Sequence, residues 1–156
     1  MGLIAFLRGP QGVPGPQGPG MSYYFARKTA IESVASSVAL QNDDHLFCPI
    51  PANSTWIFKF HVLWVAIKKG DIKLDITVPS GATCYWYQAT DPTTFLIPPA
   101  AVTANGDSSQ HLLTLEGFVR TGSTAGSLQL RWAQNGSQAT PTQVLVDSTL
   151  LAQRTV

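Results

Sequence analysis

Asp43-Asp44-His45 is the stretch of this 156-residue chain whose residue types come nearest to a chemical site. Carboxylates and imidazoles hold divalent metals and serve as general acids and bases. Neighbouring residues of an extended chain project to opposite sides, so these side chains could share an ion only with ligands from elsewhere. Asp71, Asp75, Asp107, His61 and His111 are the available partners, and nothing in their spacing selects any of them. Asp and Asn favour turns, so the stretch reads as a solvated turn leading into a strand at Leu46. His61 lies on the mixed face of an aromatic run and reads as a half-buried histidine rather than a base. No Gly-x-Ser-x-Gly elbow, phosphate-cradling glycine loop or positioned pair of carboxylates is present. The expectation is a protein that is not an enzyme, with no catalytic residues, no cofactor and no metal site.

Other residues could bind rather than react. Trp56, Trp64, Trp86 and Trp132, with Tyr85 and Tyr87, could form a platform on which sugars stack. Large aromatics also dominate cores and subunit interfaces, and that role is expected for most of them. Tyr85 and Tyr87 should point away from Trp86, giving one strand aromatics on both faces and a need for a partner on each. Tyr85, Trp86 and Tyr87 are therefore the candidate subunit interface or ligand surface. Glu116 and Arg131 sit on consecutive strand-like runs and could pair across them, for under about 1 kcal/mol if exposed. Cys48 and Cys84 match no metal-binding or redox spacing and read as buried small hydrophobes.

The elements that must position these residues are strands. Trp56, Phe58, Phe60, Val62 and Trp64 alternate with Ile57, Lys59, His61, Leu63 and Val65 at period two. After Lys68-Lys69-Gly70-Asp71, residues Ile72, Leu74, Ile76 and Val78 alternate with polar ones, and the two runs read as an antiparallel hairpin. Alternation returns over 112–120 and 128–132, with further strands at 83–89, 143–146 and 149–152. About eight short strands and no convincing helix predict an all-β antiparallel sandwich, jelly-roll-like. The longest connection is 90–106, where Pro92, Pro98 and Pro99 argue against central strands.

The first twenty residues have another character. Gly9, Gly12, Gly15 and Gly18 recur every third position, with Pro10, Pro14, Pro16 and Pro19 between them. Only a collagen triple helix requires that period, because nothing larger than glycine fits where three chains crowd one axis. A Gly/Pro linker would share the composition but needs no register. A homotrimer follows, with trimerisation supplied downstream because three triplets and a broken fourth are too few to hold it. Before this stalk, Leu3, Ile4, Phe6 and Leu7 form an apolar tip with no basic flank or cleavage site. It reads as an anchor to a partner protein rather than a signal peptide, and Met21 could be an alternative start. The division is 1–8 anchor, 9–20 collagen-like stalk, and 21–156 β-sandwich for trimerisation and surface. Charged residues make up 12% of the chain, about half the usual share, and the net charge is +1. That balance gives no footprint for nucleic acid, no segment is long enough to span a membrane, and packing against neighbours is favoured.

Several phrases resemble a known family. Leu40-Gln-Asn-Asp-Asp-His-Leu46, Ser54-Thr-Trp56, Gly70-Asp-Ile-Lys73, Val78-Pro-Ser-Gly-Ala-Thr83 and Leu128-Gln-Leu-Arg-Trp-Ala-Gln-Asn135 look like the β-rich structural domain of tailed-bacteriophage virion proteins. These are head fibre, capsid decoration or minor tail proteins, many with collagen-like repeats. The resemblance spans about 29–152. It implies a trimeric sandwich without cofactor, located on the virion surface, whose partners are a major capsid or tail protein. A tail fibre with a host-glycan-binding tip is the alternative, and a secreted collagen-like lectin is a third reading. The collagen run is short for the family: twelve residues reach about 37 Å, which suits a knob held near its anchor.

Overall fold

The computed structural model describes residues 22–155, so the apolar tip, the Gly-Pro stalk and Met21 lie outside the described residues. Twelve strands run in chain order: β1 (Tyr23–Arg27), β2 (Glu32–Val34), β3 (Gln41–Ile50), β4 (Thr55–Val65), β5 (Ile72–Thr77) and β6 (Thr83–Gln88) come first. They are followed by β7 (Asp91–Leu96), β8 (Ala101–Ala104), β9 (Gln110–Arg120), β10 (Gly126–Ala133), β11 (Thr142–Val144) and β12 (Thr149–Arg154). Among the described residues there is no helix.

The pairing is nested. β1 pairs with β12, β3 with β10, β4 with β9 and β5 with β8, all antiparallel. The chain thus forms one long hairpin folded across itself. Its strands fall into one sheet ordered β1-β12-β4-β9-β6-β7, with β11 and β2 at its side, and a second ordered β3-β10-β5-β8. That is the strand order of a jelly roll, extended by the β6–β7 hairpin, and the expected antiparallel sandwich is observed.

Period two explains the layers. On β4 the side chains of Trp56, Phe58, Phe60, Val62 and Trp64 are buried, and on β10 those of Leu128, Leu130 and Trp132 meet them from the other sheet in one shared core. Each large apolar side chain withdrawn from water contributes about 1.5–3 kcal/mol, which makes this seam the main stabilising feature. All four tryptophans are in it. Gly117 marks its tightest point. It lies opposite Phe58 on β4 and Trp86 on β6, and a Cβ there would sit 2.8 Å from both side chains. The Tyr85 carbonyl oxygen lies closer still, so strand backbone and the Phe58 and Trp86 side chains together fill the room a side chain would need.

Three expectations about connectivity are corrected. The runs at 56–65 and 72–78 do not form a hairpin: β4 and β5 belong to opposite sheets, and the turn at 68–71 crosses between them. Buried alternation specifies a strand's inner face, not its neighbour. Glu116 and Arg131 likewise lie on different sheets, so they cannot pair. Nor are there only eight strands. β1 and β2 precede the region read as regular, and the 90–106 connection contains β7 and β8. Both are edge strands, as Pro92 requires of β7; Pro98 and Pro99 lie in the connection between them, and their peptide bond is cis.

Candidate functional site

Asp43 is not in a solvated turn. It belongs to β3 and is buried, together with the equally buried Lys28. The register explains how. From Gln129 to Arg131 on β10, the partners on β3 run from Phe47 back to Asn42, so three extra residues bulge out of β3. The bulge contains the turn that the sequence suggested, folded inward. Asp43 Oδ1 accepts hydrogen bonds from the backbone N–H groups of His45 and Leu46, both at 2.9 Å. Its Oδ2 meets Lys28 Nζ at 2.8 Å and the indole N–H of Trp132 at 3.2 Å. Lys28 also pairs with Glu32 at 2.7 Å, and Gln41 donates to the other Glu32 oxygen at 2.6 Å. Every polar contact of the Asp43 carboxylate goes to structure. The cluster fastens the segment after β1, in the larger sheet, to the bulge in the smaller sheet.

The other candidates are similarly occupied. Asp75 is buried beneath Arg131, which holds it through Nε at 2.9 Å and through Nη2, and the carboxylate keeps the guanidinium pKa above its usual value. Asp71 accepts the Gly106 N–H, and Asp107 binds the Ser109 N–H and His111, contacts that hold its pKa below the ordinary carboxylate range. His61 is half-buried beside Thr149, as expected, and His111 stacks on Trp64 with centroids 4.9 Å apart. Among the described residues no group of three or more metal-ligating side chains converges. Cys48 and Cys84 are free, buried thiols whose pKa values burial pushes up to about 11 and about 12. At neutral pH they are unreactive hydrophobes.

The surface feature that remains is the outer face of the larger sheet. One rung crosses five strands as Tyr23, Gln153, Ile57, Phe118 and Tyr85. The next carries Phe25, Leu151, Lys59, Glu116 and Tyr87. Phe95 on β7 meets Tyr87 edge to face at 5.9 Å, and Tyr85 lies 5.5 Å from Phe118. All of these side chains except Phe25 line an open cavity of about 600 Å³. At its centre Lys59 bridges Glu116 at 2.7 Å, and the Tyr87 hydroxyl donates to the other Glu116 oxygen at 2.8 Å. The Lys59 ammonium, then Tyr87, holds the Glu116 carboxyl below its usual range, and Glu116 in turn raises the pKa of Tyr87.

Of the residues predicted for this surface, Tyr85 and Tyr87 are on it and Trp86 is not. Trp86 is fully buried, because successive residues of a strand face opposite sides. Tyr23, Phe25, Phe95, Phe118 and Leu151 are on the same face and were not predicted for it. They come from four other strands, and only the register aligns them. The anchor residues Leu3, Ile4, Phe6 and Leu7, and the stalk from Gly9 to Gly18, lie outside the described residues.

No protein-family model matches the chain, and no curated protein matches it. Among solved structures it is similar to the tripod (BppUct-A-L) from the baseplate of bacteriophage Tuc2009, at 16% identity and a TM-score of 0.47, covering 97% of this chain and 78% of that one. It is also similar to a chain of infectious bursal disease virus Gx strain, at 14% identity and a TM-score of 0.48, covering 92% of this chain and 37% of the other.

Proposed function

We propose that the chain is a non-enzymatic structural protein of a bacteriophage virion. In this reading it is a homotrimeric capsid decoration or head-fibre protein whose stalk spaces the sandwich from the particle. Leu3, Ile4, Phe6 and Leu7 of three chains plug into a shell protein, and three weak anchors on one trimer gain avidity. The observation that carries the reading is the glycine register of 9–18, a period that serves only a three-chain helix, leading within a few residues into β1. Two features support it: the resemblance of several phrases to phage virion domains, and the use of the site-like charges at Asp43 and Asp75 in structural contacts. The test compares the full-length chain with a version starting at Met21 by light scattering. Trimers from both are expected. On particles, Phe6→Asp should abolish incorporation while the free trimer stays folded; normal occupancy would count against the anchor.

The second reading is a tail protein that binds host glycan. Favouring it are the rings of Tyr23, Tyr85, Tyr87 and Phe95 around a cavity that also presents Lys59, Glu116 and Gln153. Copy number separates the two, with scores of copies on a head and a few trimers on a tail.

A further inference from the structure

We infer that the outer face of the β1-β12-β4-β9-β6-β7 sheet is the surface on which protomers meet. Each β1 lies next to the three-fold axis, and its Tyr23 and Phe25 complete the neighbouring protomer's aromatic cavity. The inference rests on the trimer of the proposed function and assigns its interface.

Chain continuity is the first argument. The glycine register ends at Gly18, five residues before Tyr23, and five extended residues span about 18 Å at most. Chains that share an axis at their last triplet must therefore enter their sandwiches close to it. The point of entry is Tyr23, on an edge strand and on the rim of the cavity. From β1 to β7 the sheet is about 24 Å wide at 4.8 Å per strand spacing. With β1 held at the axis, this face is the broad apolar surface within reach of the next copy.

Area is the second argument. Tyr23, Phe95, Phe25 and Tyr85 are 68%, 65%, 60% and 40% exposed. At about 200 Å² per aromatic side chain, Tyr23 and Phe25 on the β1 side present roughly 250 Å² of apolar surface, and Phe95 and Tyr85 on the β6–β7 side roughly 200 Å². A stable interface buries about 800 Å² per partner, and about 65% of that is apolar between identical subunits. The rings on each side supply about two-fifths to a half of one contact's apolar share, and Leu151 and Ile57, both exposed, add to it. Charge is the third argument. Lys59 and Glu116 at the centre neutralise one another and Tyr87 satisfies the remaining carboxylate oxygen, so no unpaired charge is buried when the face is covered. A contact between the β1 side of one copy and the β6–β7 side of the next joins two different patches, and such contacts close into a ring when the copies share one rotation axis, which the stalk of the proposed trimer supplies.

The test uses the full chain carrying Tyr85→Asp, Phe95→Asp or both, with Phe47→Asp on the other sheet as control. Light scattering should give three times 16.8 kDa for the wild type and the control, and 16.8 kDa for the face variants, with unchanged circular dichroism. Face variants that remain trimeric overturn the inference and leave the trimer reading intact. A monomeric wild type overturns both. Should the aspartate variants fail to fold, hydroxyl-radical footprinting of the wild-type trimer asks the same question. Tyr23, Phe25 and Phe95 should label several-fold more slowly than Phe47. Equal labelling overturns the inference and frees the face for another ligand, such as a saccharide.

Discussion

Asp43→Ala removes the residue on which the corner between the sheets depends, and its cost follows from the contacts. The substitution leaves Lys28, which is 0% exposed, with Glu32 as its one acidic partner. It also strips the acceptor from the Trp132 indole and from two N–H groups of the bulge. Breaking a buried pair by removing one partner costs about 3–5 kcal/mol, because the survivor's desolvation is no longer offset. Domains of this size are stable by only about 5–15 kcal/mol. With a urea m-value of about 2 kcal/mol/M, the unfolding midpoint should fall by roughly 1.5–2.5 M. Lys28→Met should cost less, since the Asp43 carboxylate keeps three donors. The double variant should cost less than the two single costs together, with a coupling of at least about 1.5 kcal/mol. Urea titrations of the four full-length proteins at one concentration measure this. A loss below about 1 kcal/mol for Asp43→Ala, or strict additivity, would refute the account of the cluster as a structural clamp.

Two further outcomes are expected. Gly117→Ala forces a methyl group against the Tyr85 carbonyl, Phe58 and Trp86 and should destabilise by about 1–3 kcal/mol, read from the same titrations; a change under about 0.5 kcal/mol would mean that the β4-β9-β6 seam has slack. Tyr87 should ionise at higher pH than the ordinary tyrosine value of 10.0, because its hydroxyl donates to the Glu116 carboxylate. Its folded pKa lies above the unfolded one, so this stabilisation is complete below about pH 10 and is lost as pH rises through the folded value. Difference absorbance at alkaline pH, wild type minus Tyr87→Phe, isolates that step. Glu116→Gln should move it down, and an unmoved step would remove Glu116 as its cause.

Composition and period two were enough to specify the class of fold. The alternation over 56–65, 112–120 and 128–132 fixes which side chains enter a core, because a strand offers its faces strictly by turns. The same rule placed Tyr85 and Tyr87 opposite Trp86. Pro92 correctly marked an edge strand, since proline has no N–H to donate to a ladder, while Pro98 and Pro99 marked the connection between β7 and β8. The glycine register of 9–18 is likewise a property of the sequence alone, and so is the expectation of three chains. Which strand pairs with which was not legible. A jelly roll joins β1 to β12 and β3 to β10 across most of the chain, and no local pattern encodes a partner so distant. Asp43 shows the consequence for charge. Locally it is a turn former, and only the bulge between the partners of Gln129 and Arg131, with Lys28 arriving from the segment after β1, makes its burial favourable. The aromatic face has the same origin: Tyr23, Phe25, Phe95, Phe118 and Leu151 look like isolated apolar residues in sequence, and they become one surface because the register brings five strands level.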